Sequence, residues 1–310
     1  MFAAAVLALA AAPAIASPYY LQLVTKIMIF GIFALSLDLL VGYTGLVSLG
    51  HAAFFGLGAY TLALLSPQDA AANLLTTLPA AMGIAALVAL AAGVLVLRTS
   101  GVYFIMVTLA IAQMLYYLFN DTRFGGGSDG MYIYARPEIA LAGWTLSFES
   151  KPGFYYFVLF MLCAVYAVLF RLLRSPFGRA LQGIKVNEAR MRSLGFATFR
   201  YKLAGFVVAG ALGALAGYLG AMQFGFVNPE LLSWHESGNV LMMVILGGVG
   251  SLAGPVAGAF AFVLLQEAFE SFTKHWLLLM GGSIVLVVLL LPKGLSGLLD
   301  MLLGRVAADD

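Results

Sequence analysis

Charge is scarce in this chain: of 310 residues only 10% are Asp, Glu, Lys or Arg, and cysteine occurs once. A soluble domain carries about 25% charged residues, so a water-facing surface over a chain this long is excluded. The single thiol, Cys163, sits in an apolar run, cannot form an internal disulfide and reads as a small hydrophobe. Zinc-ligand spacing, a phosphate-binding loop and a dinucleotide fingerprint are all missing. No catalytic centre, metal site or cofactor site is therefore expected on this chain. The net charge of +2 is uninformative, and no nucleic-acid partner is expected.

What the chain has instead is apolar length. It is 63% hydrophobic, with a mean hydropathy of +1.00. In lipid every backbone polar group must be satisfied internally, which leaves helices or a closed barrel. A barrel would alternate apolar and polar residues over segments of about 10 residues. This sequence shows continuous apolar runs near 20–41, 46–65, 79–97, 101–119, 154–173, 203–224, 240–270 and 276–291. The expected fold is an all-α polytopic transmembrane bundle, a single domain over 1–310, with about eight or nine spans. The run 240–270 is too long for one straight crossing. Gly247, Gly248, Gly250, Gly254 and Pro255 break it into two short helices. Residues 1–17 end in a cleavage-like Ala14-Ile15-Ala16 but lack the basic start of a secretory leader, so a short first helix competes with that reading.

The few charges set an orientation. Arg171, Arg174, Arg179, Lys185, Arg190, Arg192, Arg200 and Lys202 crowd one inter-run segment, opposed only by Glu188. The positive-inside rule places 171–202 in the cytoplasm and the mixed-charge segment 120–153 outside. Arg98 then falls in a cytoplasmic turn, and Lys293 and Arg305 favour an inside C-terminus. Within 171–202, Ser175-Pro176 marks a restart of helix from about Phe177. Ala180, Leu181, Ile184, Ala189 and Leu194 follow loosely helical spacing, and Gly195 ends the second stretch. Two short amphipathic helices are expected across the cytoplasmic face. Anionic lipid would explain the basic charge but not the central Asn187-Glu188. A helix docked in a partner's groove explains both, with Ala180, Leu181 and Ile184 supplying apolar contact.

Polar groups inside the apolar runs are few, and a charge in lipid is costly. Asp38, Ser48, His51 and Gln113 are the pathway candidates; His51 also reads as a cap at a helix break. The protonation state of Asp38 is left open by the sequence. Ser48-Leu49-Gly50 and Ser251-Leu252-Ala253-Gly254 share a short pattern of the kind seen where broken helices flank a transport site in repeated halves. Tyr19, Tyr20, Trp234 and Trp276 sit near run ends as interfacial anchors.

Six stretches carry a resemblance: GYTGLVSLGHAAFFGLGAY (42–60), RTSGVYFIMVTLAIAQMLYY (98–117), GGSDG (126–130), SPFGRALQGIKVNEARMRSLGF (175–196), YKLAGFVVAGALGALAG (201–217) and LMMVILGGVGSLAGPVAGA (241–259). In this order they resemble the LivM-type permease subunits of branched-chain amino acid ABC importers. The resemblance implies a multi-pass protein of the bacterial inner membrane. It implies a homologous second permease chain, two ATP-binding subunits that carry ATP and Mg, and a periplasmic solute-binding protein. It also implies that 175–196 is the ATPase-contact loop, with Gly178, Arg179, Ala180, Asn187, Glu188, Arg190 and Gly195 at the matching positions. Import of urea or short amides is the alternative within this class. A stand-alone secondary transporter or channel is the alternative outside it, and would need paired ion ligands or a filter.

Overall fold

The computed structural model describes residues 9–13, 17–67, 70–141, 144–291 and 294–297. Most of the leader-or-helix segment 1–17, together with Lys293 and Arg305, lies outside the described residues. The chain is a helical bundle. Its elements are α1 (Pro18–Val41), α2 (Ala52–Leu65), α3 (Leu74–Val96), α4 (Val102–Asp121), α5 (Lys151–Arg174), α6 (Pro176–Val186), α7 (Glu188–Ser193), α8 (Thr198–Phe224), α9 (Trp234–Gly247), α10 (Gly254–Phe272) and α11 (Trp276–Leu290). Among the described residues, α1, α3, α4, α5 and α8 are long and apolar enough to cross a membrane. At 1.5 Å per residue the 24 residues of α1 extend about 36 Å, enough for a hydrocarbon core of about 30 Å.

Two helices form the centre. The most apolar stretches of α1 and α8 are 83% and 72% buried by the rest of the chain, against 22–33% for α3, α4 and α5. Lipid tails are as apolar as leucine, so helices associate through close packing rather than exclusion of water. Helices α2 and α8 show this closely. A Cβ on Gly58 would lie 2.0 Å from the Ala214 carbonyl oxygen, and one on Gly217 would lie 1.8 Å from that of Phe55.

The run 46–65 departs from the expected single helix. Residues 45–50 are non-helical, and α2 has only 14 residues. Hydropathy alone does not separate an apolar extended segment from a helix, and Gly45, at φ +73°, supplies the turn. The run 240–270 breaks as expected, with α9 and α10 separated at 248–253.

The two ends of the bundle differ. The C-terminus of α1, the turn 97–101, helices α6 and α7, and the start of α8 gather at the basic end. The segment 122–150 covers the opposite end with short strands. Strand β1 (Met131–Tyr132) pairs antiparallel with β4 (Phe226–Val227), and β2 (Ile139–Leu141) with β3 (Trp144–Leu146). Strands β1 to β3 fall in a loop where the sequence reading had placed no structure. Gly130 of the GGSDG stretch makes the first pairing feasible: its φ is +71°, and a Cβ there would lie 2.2 Å from the Val227 carbonyl oxygen.

Candidate functional site

The two amphipathic helices expected in 171–202 are α6 and α7. Ser175 caps α6 by accepting from Gly178 N, and Pro176 occupies the first turn. Gly178 itself is buried against the end of α5: a Cβ there would meet Leu173 backbone at 2.4 Å. Asn187 caps α7, its Oδ1 accepting from Arg190 N at 2.9 Å. Gly195 closes α7 at φ +87°. Gly195 N donates to Arg192 O and Phe196 N to Met191 O, the paired bonds of a glycine-terminated helix.

One expectation is reversed. Ala180, Leu181 and Ile184 are buried inside this chain, with Leu181 packed near Gly205 of α8. Amphipathic spacing identifies an apolar face without saying who covers it, and here the chain's own bundle does. A different set is exposed: Arg179, Val186, Asn187, Ala189, Arg190, Leu194, Gly195 and Phe196. Beside them Leu194, Phe196, Ala197, Arg200 and Tyr201 line an open depression of about 540 Å³.

Glu188 is turned inward rather than toward a partner. Its carboxylate accepts from Arg192 Nη2 at 2.8 Å, Thr198 Oγ1 at 3.0 Å and Lys202 Nζ at 2.9 Å. The last two donors belong to the first turns of α8, so Glu188 fastens α7 to a central membrane helix. Partial desolvation pushes the Glu188 pKa up, but the hydrogen bonds from Lys202 and Arg192 outweigh it and hold the group below the ordinary glutamate range.

A second fastening lies beside the first. Lys185 Nζ of α6 donates to the Gly42 carbonyl at 2.6 Å, at the C-terminus of α1. Asp38, one turn earlier and buried, accepts from Gly250 N at 2.9 Å, inside the break between α9 and α10. Its Oδ2 has no hydrogen-bond partner. A Cβ on Gly42 would lie 2.4 Å from Asp38 Oδ1 and 2.7 Å from Gly250. The break after α1 and the break after α9 therefore touch.

The two Ser-containing segments also behave alike locally. Ser48 Oγ accepts from Gly50 N at 3.2 Å ahead of α2, and Ser251 Oγ accepts from Gly254 N at 3.1 Å ahead of α10. His51 is wholly buried at the N-terminus of α2. Ser36 Oγ donates to the Phe33 carbonyl, so His51 Nε2 donates to Ser36 Oγ across 2.8 Å. The ring stacks on Phe33 at 5.5 Å. Ser48 is buried as well. Gln113 is half-buried on α4, one of the least covered long helices. The structure thus brings Asp38 to the basic loop, puts Ser48 and His51 in the core, and leaves Gln113 apart. Sequence reasoning passed over Lys26 of α1 and Glu267 of α10, although both interrupt long apolar stretches.

Among the described residues no cluster of metal-ligating side chains occurs. Comparison with known proteins adds the following. The family described as branched-chain amino acid transport system / permease component matches residues 19–289. The high-affinity branched-chain amino acid transport system permease protein LivM of Escherichia coli K12 is 35% identical over 320 residues, covering 95% of this chain and 74% of that protein. LivM of Salmonella typhimurium LT2 is 34% identical with the same coverage. The xylose transport system permease protein XylH of Escherichia coli K12 is 30% identical over 42% of this chain and 35% of its own length. No solved structure gives a significant match.

Proposed function

This chain belongs to the branched-chain amino acid transport system permease family, a multi-pass permease of the inner membrane, and from that premise we propose that it forms one half of the membrane channel of an ATP-driven importer for leucine, isoleucine, valine or a related amino acid. Similarity to LivM over 95% of the chain carries the choice of solute, since the sugar permease resembles less than half of it. The other half of the channel is a homologous permease chain. Two ATP-binding subunits with their Mg dock at the basic end, and a solute-binding protein docks at the other. ATP hydrolysis belongs to those subunits.

The coupling reading rests on one observation: Glu188 ties α7 to α8 at 2.9 Å through Lys202, while the opposite face of α7 is exposed. An ATPase pressing on Arg179, Asn187 and Arg190 pushes a short helix that cannot move without α8. Through Lys185 and Gly42 the same push reaches α1, and through Asp38 the α9–α10 break. No covalent step is needed on this chain; the two central helices reposition, and access alternates. The basic end is then cytoplasmic, in keeping with the positive-inside rule.

The test is ATP-dependent uptake of labelled leucine by proteoliposomes that contain this chain, its partner permease and the ATP-binding subunits, with the solute-binding protein added outside. Uptake that needs the binding protein and ATP is expected. ATP-independent uptake driven by an ion gradient would point to a secondary transporter, and coupled uptake of urea alone would move the solute assignment.

A further inference from the structure

At the end opposite the basic loop, α1, α8 and α10 enclose an open cleft of about 380 Å³. This is within the range of small-molecule clefts, roughly 300–1,000 Å³. Its wall is unusually polar for a surface formed by membrane helices. Tyr19, Gln22 and Lys26 come from α1, Gln223 from the end of α8, and Glu267 from α10. Lys26 lies eight residues into α1, about 12 Å along its axis.

Each polar group is either held in place or open to a ligand. The Tyr19 hydroxyl donates to Glu267 Oε1, which fixes the carboxylate at the cleft. Gln223 Nε2 donates to the Gln22 carbonyl at 2.8 Å, while its Oε1 is buried without a donor. Among the described residues no carboxylate lies within ion-pair distance of the Lys26 ammonium, although Glu236 of α9 lies within its electrostatic reach. An ionisable side chain inside a membrane span faces protein or water, because lipid solvates it poorly. Snorkelling of Lys26 to the interface would explain the lysine alone. It does not explain a carboxylate from another helix held on the same concave wall.

We propose that this cleft receives the zwitterionic head of the transported amino acid, with Lys26 binding the α-carboxylate, Glu267 binding the α-ammonium, and Leu23 and Phe224 flanking the side chain. The assignment rests on the amino-acid reading above. Opposite charges on separate helices recognise a molecule that carries both charges on one carbon, and the apolar flank accepts any of several aliphatic side chains. Selection among solutes then falls to the binding protein that delivers them, and the cleft serves as the entrance to the channel.

Two measurements on the assembled transporter test this. First, Gln22→Cys should react with a membrane-impermeant thiol reagent applied outside, and its modification should block uptake. A Gln22→Cys thiol that is sealed in lipid and unreactive overturns the proposal. Second, Lys26→Met and Glu267→Gln should each lower the number of leucine molecules moved per ATP at least ten-fold, with Lys26→Arg retaining most of it. Complex recovered intact by size exclusion separates this from failure to fold. Were Lys26→Met not to assemble, Glu267→Gln and the thiol reaction would still decide. Unaltered transport in both charge-removing variants refutes the cleft. A wild-type complex that moves no amino acid refutes the substrate reading instead.

Discussion

Replacing Glu188 by lysine tests how α7 is held. The side chain of Arg192 is 68% exposed, so its bond to Glu188 is a surface pair worth about 0.2–1 kcal/mol. Lys202 differs, with only 10% of its side chain exposed against 32% for Glu188. A hydrogen bond to a charged group contributes roughly 1.5–3 kcal/mol, and partial solvent access favours the lower part of that range. Thr198 adds about 1 kcal/mol. The tether is thus worth roughly 3–4 kcal/mol, or on the order of 100- to 1,000-fold in the equilibrium for local opening of α7. Glu188→Lys removes it and adds repulsion from Lys202 and Arg192. Hydrogen exchange at the Gly195 and Phe196 amides, which close α7, should accelerate by about that factor. Amides in the middle of α8 should not change. The complex should still insert and pair with its partner chain, but ATP hydrolysis should no longer drive uptake. Unchanged exchange together with normal coupled uptake would refute the tether. The pH dependence has a defined sign. A carboxylate whose pKa is depressed on folding contributes stability above its unfolded pKa and loses it as pH falls through the folded one. Protection of α7 should therefore be full above the ordinary glutamate range, decline as pH falls through that range, and be gone below the depressed folded-state value.

Further outcomes follow from the neighbouring geometry. Asp38→Asn keeps an acceptor for Gly250 N and should retain most uptake, whereas Asp38→Leu should lose assembly or uptake; full loss in the Asn variant, measured in proteoliposomes, would show that the charge itself is needed. Gly195→Val should weaken the end of α7 by about 1–2 kcal/mol through backbone strain alone, because no atom lies within 4 Å of an added Cβ; accelerated exchange at Phe196 with intact assembly is the expected signature. Cysteines at Val186 and Tyr134, 85% and 73% exposed, should label from opposite sides of the membrane, and labelling of both from one side would reverse the assigned orientation.

The long spans were readable because a membrane-crossing helix is apolar whether lipid or neighbouring helices cover it: α3, α4, α5 and α8 each begin within a few residues of an apolar run. The break at 248–253 was readable because glycine and proline punctuate it. The end of α7 was readable from Gly195. The rest depends on contacts between distant segments, which one-dimensional spacing does not contain. The sequence displays Ala180, Leu181 and Ile184 as an apolar face, yet only the fold shows that α8 covers it. Asp38 stood out as a lone acid, but its partner is a backbone N–H, and every residue except proline has one. Glu188 stood out as the one acid in the basic segment; the structure adds Thr198 and Lys202 of α8 to Arg192 and turns a local pair into a link between helices. Lys26 and Glu267 were visible as letters and were missed because each reads as an isolated interruption until α1 and α10 are side by side.

The bond between Asp38 and Gly250 also bears on how the protein is made. The two residues are 212 positions apart. At synthesis rates of about 5–20 residues per second, Gly250 leaves the ribosome roughly 10–40 s after Asp38. Helix α1 is the most buried of the five long spans among the described residues, yet it enters the membrane before α8, α9 and α10. During that interval it sits there with Asp38 and Lys26 before α8, α9 and α10 exist to cover them. The helix that ends in the centre therefore begins at the edge, and its two ionisable side chains must be sheltered by the insertion machinery or by water until the last third of the chain arrives.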